Sequence, residues 1–173
     1  MFKRSHFDMT GLRGERLRRL LLPGATVIDA PAAEANGWDQ WTLQAHGIRG
    51  RDARRLALAM EVLHAWVFHV ARAEDIRARV DHLPVLELSI SEDMVERCQD
   101  RDFSEFGGHD LVMFPHNTAF LALRTAQGPT HYAGARHFVA VVRGDPGSLG
   151  PGISDENLPP VRPWGPSRRE EGR

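Results

Sequence analysis

The most apolar stretch of the chain lies between Leu56 and Ala71, where only three of sixteen residues are polar. These three are Glu61, His64 and His69. Apolar side chains recur there at steps of three and four, which is typical of a helix: Leu56, Met60, Leu63, Val67 and Val70. Because other apolar residues lie between these positions, such a helix would be covered on most sides. We therefore predict a central buried helix around which the rest of the fold is arranged.

A second interpretation of the same stretch is a helix followed by a strand. Residues 62–70 also fit a period of two, which indicates a strand that is buried on both faces. The charged residues that follow would then start another helix. We favour one long helix with a break near Ala71 to Glu74, and we keep helix, strand, helix as the alternative.

Strand signals dominate the sequence after Pro84. Residues 85–91 alternate between apolar and polar positions, and Ser91 followed by Glu92 and Asp93 is typical of a capped helix start. Three later apolar runs are separated by short connections and predict an antiparallel meander. These runs are residues 110–114, 118–125 and 136–144, with a loop at 126–135.

The first fifty residues carry weaker signals. Gly11 to Leu22 fits a short basic amphipathic helix whose apolar positions are Leu12, Leu17, Leu20 and Leu21. Pro23 and Gly24 follow directly and end it. The β-branched residues 25–30 and the aromatic segment Trp38 to Ile48 predict two strands. The residues between these two strands predict a turn.

Together these elements predict an α+β fold, with a mainly antiparallel sheet in the C-terminal half packed on the central apolar helix. A length of 173 residues and an apolar share of 42% suit one globular domain, which we place at residues 1–143. Residues 144–173 contain six glycines and six prolines and predict a C-terminal tail. The side chains large enough to anchor this tail are Leu158, Val161 and Trp164.

The composition excludes several classes of protein. Cys98 is the only cysteine, which excludes an internal disulfide and a thiolate cluster for zinc. The apolar stretch is too short and too polar to span a bilayer, and the N-terminus lacks the apolar core of a secretory signal. We therefore expect no membrane association and a cytoplasmic location. Arginine supplies all but one of the 22 basic residues, a bias typical of GC-rich coding, so we expect a bacterial origin.

Clustered arginines suggest phosphate recognition. They occur at Arg13, Arg16, Arg18 and Arg19, and again at Arg49, Arg51, Arg54 and Arg55. No sequence signature of a nucleic-acid-binding fold accompanies them. We favour solvated helix faces, and we keep nucleic acid as the less favoured partner. The residues for that contact would be Arg13, Arg16, Arg19, Arg51, Arg54 and Arg55.

Histidines and carboxylates form the candidate catalytic patterns. Glu61 and His64 stand three residues apart, as in one half of a dimetal site, but the second half is missing and a hydrogen-bonded pair is favoured. Asp110 and the C-terminal histidines suit acid–base catalysis or a metal of unknown identity. These histidines are His109, His116, His131 and His137. The sequence has no phosphate loop, dinucleotide fingerprint, nucleophile elbow or HExxH motif.

Two functions follow from these patterns. The favoured one is a binding or accessory protein that acts through protein–protein contacts or self-association. Its predicted contact residues are Leu158, Val161 and Trp164. The alternative is a small enzyme, with or without a metal ion, and no cofactor follows from the sequence. Its predicted site residues are His109, Asp110, His116 and His137, which would have to converge around a pocket.

Overall fold

One antiparallel sheet runs through the computed structural model, which describes residues 2–162. Its seven strands follow the order β1-β4-β3-β5-β6-β7-β2, so β1 and β2 form the edges. The strands are β1 (Phe2–Asp8), β2 (Asp39–Leu43), β3 (Val67–Arg72), β4 (His82–Ser89), β5 (Leu111–Pro115), β6 (Phe120–Arg124) and β7 (Thr130–Gly134). The predicted α+β class with a mainly antiparallel sheet is confirmed.

Short helices cover both faces of this sheet. Within residues 2–162 they are α1 (Leu12–Leu20), α2 (Ala30–Ala35), α3 (Arg51–Val62), α4 (Ala73–Arg77), α5 (Glu92–Arg97) and α6 (Arg136–Arg143). Helices α3, α5 and α6 pack on the face that carries Phe68 and Val70, which we call the α3 face. Helices α1, α2 and α4 pack on the opposite face, the α1 face, which carries Phe114 and Leu123. None of these helices has the length and hydrophobicity needed to cross a bilayer.

The prediction of one continuous helix from Leu56 to Val70 is wrong. Helix α3 ends at Val62, His64 has a left-handed backbone with a φ of 55°, and the chain then forms β3. A strand between two helical layers is apolar on both sides, so it can match a helical spacing as well as its own period of two. The alternative of helix, strand, helix is observed, and α4 begins at Ala73, inside the predicted break.

Two predictions after residue 125 are also wrong. Residues 136–143 form helix α6 rather than a strand, and the predicted loop before them contains strand β7. The side chains that α6 buries are spaced to share one side of a helix, and a short apolar run does not separate this spacing from that of a buried strand. These side chains are Phe138, Val139, Val141 and Val142. Strand β7 has a weak signal because it contains a glycine and few large apolar residues.

The N-terminal half supplies more of the sheet than the sequence predicts. Residues 2–8 form the unpredicted edge strand β1, which pairs with β4 from Phe2 opposite Leu88 to Asp8 opposite His82. Residues 25–29 form no strand, and α2 replaces most of the predicted turn. The N-cap of α2 explains this change, because the Asp29 carboxylate accepts a hydrogen bond from the Ala32 N–H at 2.9 Å.

Several predictions agree with the structure in position and type. Helix α1 lies within the predicted basic helix, and β2 lies within the predicted strand at residues 38–48. Strand β4 matches the alternating segment at residues 85–91, and β5 and β6 match the apolar runs at residues 110–114 and 118–125. Helix α5 starts as predicted, since the Ser91 hydroxyl accepts a hydrogen bond from the Met94 N–H at 3.1 Å.

The first part of the predicted tail lies against the domain. After α6 ends at Gly144, which has a φ of 78°, the chain returns over α3. Its side chains Leu149, Leu158 and Val161 pack against the core of the α3 face. The predicted anchor Trp164 lies outside the described residues.

Candidate functional site

The predicted catalytic residues lie in different parts of the fold. His109 and Asp110 precede β5 and His116 follows it, so a strand of five residues separates them. At about 3.3 Å per residue this separation is roughly 20 Å. His137 lies on α6, where its Nε2 is 2.7 Å from the carbonyl oxygen of Ser148. The structure therefore does not bring these four residues together, and no group of three metal-binding side chains forms within residues 2–162.

Two of these residues make structural contacts around β5. The Asp110 carboxylate accepts a hydrogen bond from the Ala126 N–H at 2.8 Å. His109 is exposed, and its carbonyl oxygen accepts a hydrogen bond from Arg124 Nη1 at 3.0 Å. These contacts hold the start of β5 beside the end of β6, and a catalytic role for either residue stays a prediction.

Glu61 and His64 do not form the side-chain pair that a helix would give them. Glu61 lies in the last turn of α3, whereas His64 lies beyond its end and is exposed. The Glu61 carboxylate instead accepts a hydrogen bond from the backbone N–H of Arg162 at 3.3 Å. Glu61 therefore helps to hold the C-terminal segment on α3.

The arginines proposed for nucleic acid all have partners inside the molecule. On α1, Arg13 and Arg16 donate to the carbonyl oxygens of His116 and Thr118 at 3.2 and 3.3 Å, and Arg19 pairs with Glu15. On α3 the corresponding pairs are Arg51 with Asp155, Arg54 with Glu92 and Arg55 with Asp155. These contacts give the two clusters a structural role, and nucleic-acid binding stays a prediction.

A polar cleft of about 580 Å³ opens where β6 ends and the loop after α5 passes over it. We call it the Arg124 cleft. Its lining is formed by His46, Arg97, Gln99, Asp100, Arg101, Asp102, Phe103, Gly108, Arg124, Ala126 and Gln127. This volume is typical of a small-molecule site.

Arg124 forms the floor of this cleft and is 6% exposed. It follows Phe120 and Ala122 along β6 at steps of two, so it points to the α3 face. Its guanidinium forms one hydrogen bond in the described residues, from Nη1 to the His109 carbonyl oxygen, and its buried Nε has no partner. No carboxylate in residues 2–162 forms an ion pair with it. A buried guanidinium without a counter-ion is unfavourable by several kcal/mol.

The surroundings of Arg124 disfavour its charged form. Burial lowers the pKa of Arg124 most and the positive charge of Arg49 lowers it further, while the negative charges of Asp110 and Asp100, neither of which forms an ion pair with it, oppose these shifts. Burial also raises the pKa of the neighbouring Cys98 to about 12, so its thiol is neutral and is not a counter-ion. A bound anion would offset both effects on Arg124.

The wall of the cleft is held by a buried amide. Gln99 accepts a hydrogen bond from the Ile48 N–H at 2.9 Å and donates to the Ile48 carbonyl oxygen at 2.8 Å. It thereby fixes the chain before α3 to the end of α5. The adjacent Arg49 donates a hydrogen bond to the Asp100 carboxylate at 2.6 Å. The two side chains form an ion pair, so their charges offset each other.

The rim of the cleft is shaped by an aromatic ring and a glycine. The Arg97 guanidinium lies over the Phe103 ring, 4.6 Å from its centroid. Gly108 has a φ of +84°, and a side chain at this position would overlap that of Arg101. The glycine therefore lets Arg101 lie along the rim. Sequence patterns did not single out this site, although Arg124 occupies an inward position of a buried strand, which is an unusual place for a charge.

A second polar cluster lies on the α1 face. His69 is 4% exposed, its Nε2 lies 3.5 Å from the Glu87 carboxylate, and its Nδ1 has no partner. The rings of His116 and Phe7 lie 5.8 and 5.5 Å from the His69 ring. Burial lowers the pKa of His69, and the negative charge of Glu87 opposes this shift. No cavity opens at His69 among those found in the described residues.

The two clusters differ in what they can do chemically. His69 is buried beside Phe7 and Phe114 and suits a structural role, whereas Arg124 lines an open cleft. Guanidinium groups bind carboxylates and phosphates through paired hydrogen bonds. No protein-family model, curated protein or solved structure matches this chain at a significant level.

Proposed function

We propose that this protein binds a small anionic molecule in the Arg124 cleft. The observation that carries the proposal is the buried guanidinium of Arg124, which has no carboxylate partner in residues 2–162 and lines a cleft of about 580 Å³. An anionic group on the floor of the cleft would pair with this charge and occupy its free donors. The proposed function is therefore the binding of a small anion, and a cytoplasmic location is part of the proposal.

The proposal also agrees with the way the cleft is built. Gln99 and Arg49 fix the wall through hydrogen bonds within the chain, so the cleft is formed before a ligand arrives. Binding to a preformed site avoids the entropy cost of ordering its side chains. Contacts with a protein partner through the C-terminal segment stay a prediction, since Leu158 and Val161 pack on the core of their own chain.

Calorimetric titration at low salt tests the proposal, with inorganic phosphate and glutarate as separate probes. We expect at least one of them to bind with a stoichiometry of one, and Arg124→Met to weaken that binding tenfold or more. Arg136→Met is the matched control, because Arg136 is an exposed arginine on α6 outside the cleft. It should bind like the unmodified protein.

A second measurement separates lost binding from lost folding. Replacing a buried unpaired charge by an apolar residue of similar size is neutral or stabilising. Arg124→Met also loses the hydrogen bond to the His109 carbonyl oxygen, so we expect it to unfold cooperatively, with a free energy of unfolding within about 1 to 3 kcal/mol of that of the unmodified protein when no anion is present. Equal binding by Arg124→Met and the unmodified protein, or no binding of either probe, would overturn the proposal.

A further inference from the structure

The charges that line the Arg124 cleft are not all available to a ligand. Asp100 is paired with Arg49 at 2.6 Å, and Arg97 is paired with Asp93 at 3.4 Å. Charges paired inside the protein attract a ligand less, since each is already offset by its partner.

Three charges of the lining remain without an ion pair in the described part of the chain. They are Arg124 on the floor and Arg101 and Asp102 on the exposed rim. Two cations and one carboxylate thus line the same cleft. The complementary ligand has two anionic groups and one cationic group.

We propose that the ligand is a small molecule with two carboxylates and one ammonium group, the chemical class of the acidic amino acids. This inference rests on the proposed function of the cleft. One carboxylate pairs with Arg124 at the floor, the second with Arg101 at the rim, and the ammonium group with Asp102.

The same charges disfavour other anions. The carboxylate of Asp102 would repel a ligand that carries several phosphates, which is how a site rejects molecules of the wrong charge. A dicarboxylate without an amine would leave Asp102 unpaired beside it. The cleft also has room for ordered water around a single amino acid, given its volume of about 580 Å³.

Calorimetric titration with L-glutamate and glutarate tests this inference, because the two probes share their carboxylates and chain length and differ in the ammonium group. We expect L-glutamate to bind about two- to fivefold more tightly than glutarate, the preference that an ion pair at an exposed carboxylate supplies. In Asp102→Asn this preference should disappear, with glutarate binding unchanged or tighter. Glu156→Gln removes an exposed carboxylate outside the cleft and should keep the preference.

The outcomes distinguish this inference from the proposed function. Equal binding of both probes to the unmodified protein, or an unchanged preference in Asp102→Asn, would overturn the inference and leave anion binding in place. Binding of neither glutarate nor inorganic phosphate would overturn the proposed function and, with it, this inference.

Discussion

Arg55 and Arg124 both have buried side chains on the same side of the sheet. Of these two arginines, only Arg55 forms ion pairs with carboxylates in residues 2–162. Arg55 pairs with Asp155 from the C-terminal segment and lies 3.8 Å from Asp52 on α3. Arg124 has the carbonyl oxygen of His109 and no carboxylate. The same chemical need is thus met within the chain at Arg55, and we propose that an external anion meets it at Arg124.

The ion pair of Arg55 with Asp155 should stabilise the fold by holding the C-terminal segment on α3. Asp155→Asn removes the carboxylate and leaves the nearly buried guanidinium without its main counter-ion. We expect the free energy of unfolding to fall by about 1 to 3 kcal/mol, since a buried charged group loses its partner. Urea denaturation at pH 7 measures this change.

Glu156→Gln is the control for this substitution. It removes one negative charge at the neighbouring exposed position, where a change should stay within about 0.5 kcal/mol. A loss of similar size in both variants would show that net charge, not the contact with Arg55, matters.

The stability of the core on the α3 face should depend on the buried side chains of α3 more than on its exposed ones. Leu56 is fully buried in this core, so Leu56→Ala should cost about 2 to 5 kcal/mol through lost burial and a cavity. Val62→Ala on the exposed side of the same helix should cost less than about 1 kcal/mol. Chemical denaturation measures both, and equal losses would mean that α3 packs through a different side.

Burial of His69 should make stability depend on pH. Because the folded-state pKa of His69 is lowered, protons bind to the unfolded state first as the pH falls through about 6.5, the ordinary value for histidine. Stability is therefore complete above this pH and decreases below it. Glu87 and His116 face the His69 ring, and Lys3 lies opposite Glu87 in the sheet.

Unfolding free energies measured between pH 5 and pH 8 test this dependence. The unmodified protein should lose stability toward pH 5, at no more than about 1.4 kcal/mol per pH unit for each proton. His69→Gln should have a smaller slope, with the residual slope including that of His131, whose pKa is also lowered by burial. Identical slopes in the two proteins would contradict a neutral, buried His69.

Local features such as helix caps can be predicted from the sequence better than contacts between segments that are distant in the chain. Ser91 caps α5 as expected because the cap depends on residues three apart in the chain. The segment around His69 forms a strand covered on both faces, and its apolar residues fit a helical spacing as well as a period of two, so the sequence pattern does not separate helix from strand there. Edge strand β1 has little sequence signal because only Phe7 in it is buried, and its partner β4 lies 74 to 86 residues later in the chain.

The candidate site was still less predictable. The histidines were predicted to form a site because of their residue type, but β5 separates His116 from His109 in the structure. The Arg124 cleft is assembled from segments that meet only in the folded chain, such as Ile48 with Gln99 and His109 with Arg124. A single inward arginine in β6 was the one local sign of it.

The guanidinium signals of Arg124 and Arg55 give the most direct test of anion binding. In a protein labelled with nitrogen-15, the Nε–H resonance of each arginine can be followed by NMR during separate titrations with glutarate and inorganic phosphate. We expect the Arg124 signal to shift with saturation for at least one of these anions, because a bound anion changes its surroundings, and the Arg55 signal to stay in place, because Asp155 already occupies that site. An Arg124 signal that is unaffected by both anions, or equal gradual shifts of both arginines without saturation, would contradict binding in the Arg124 cleft.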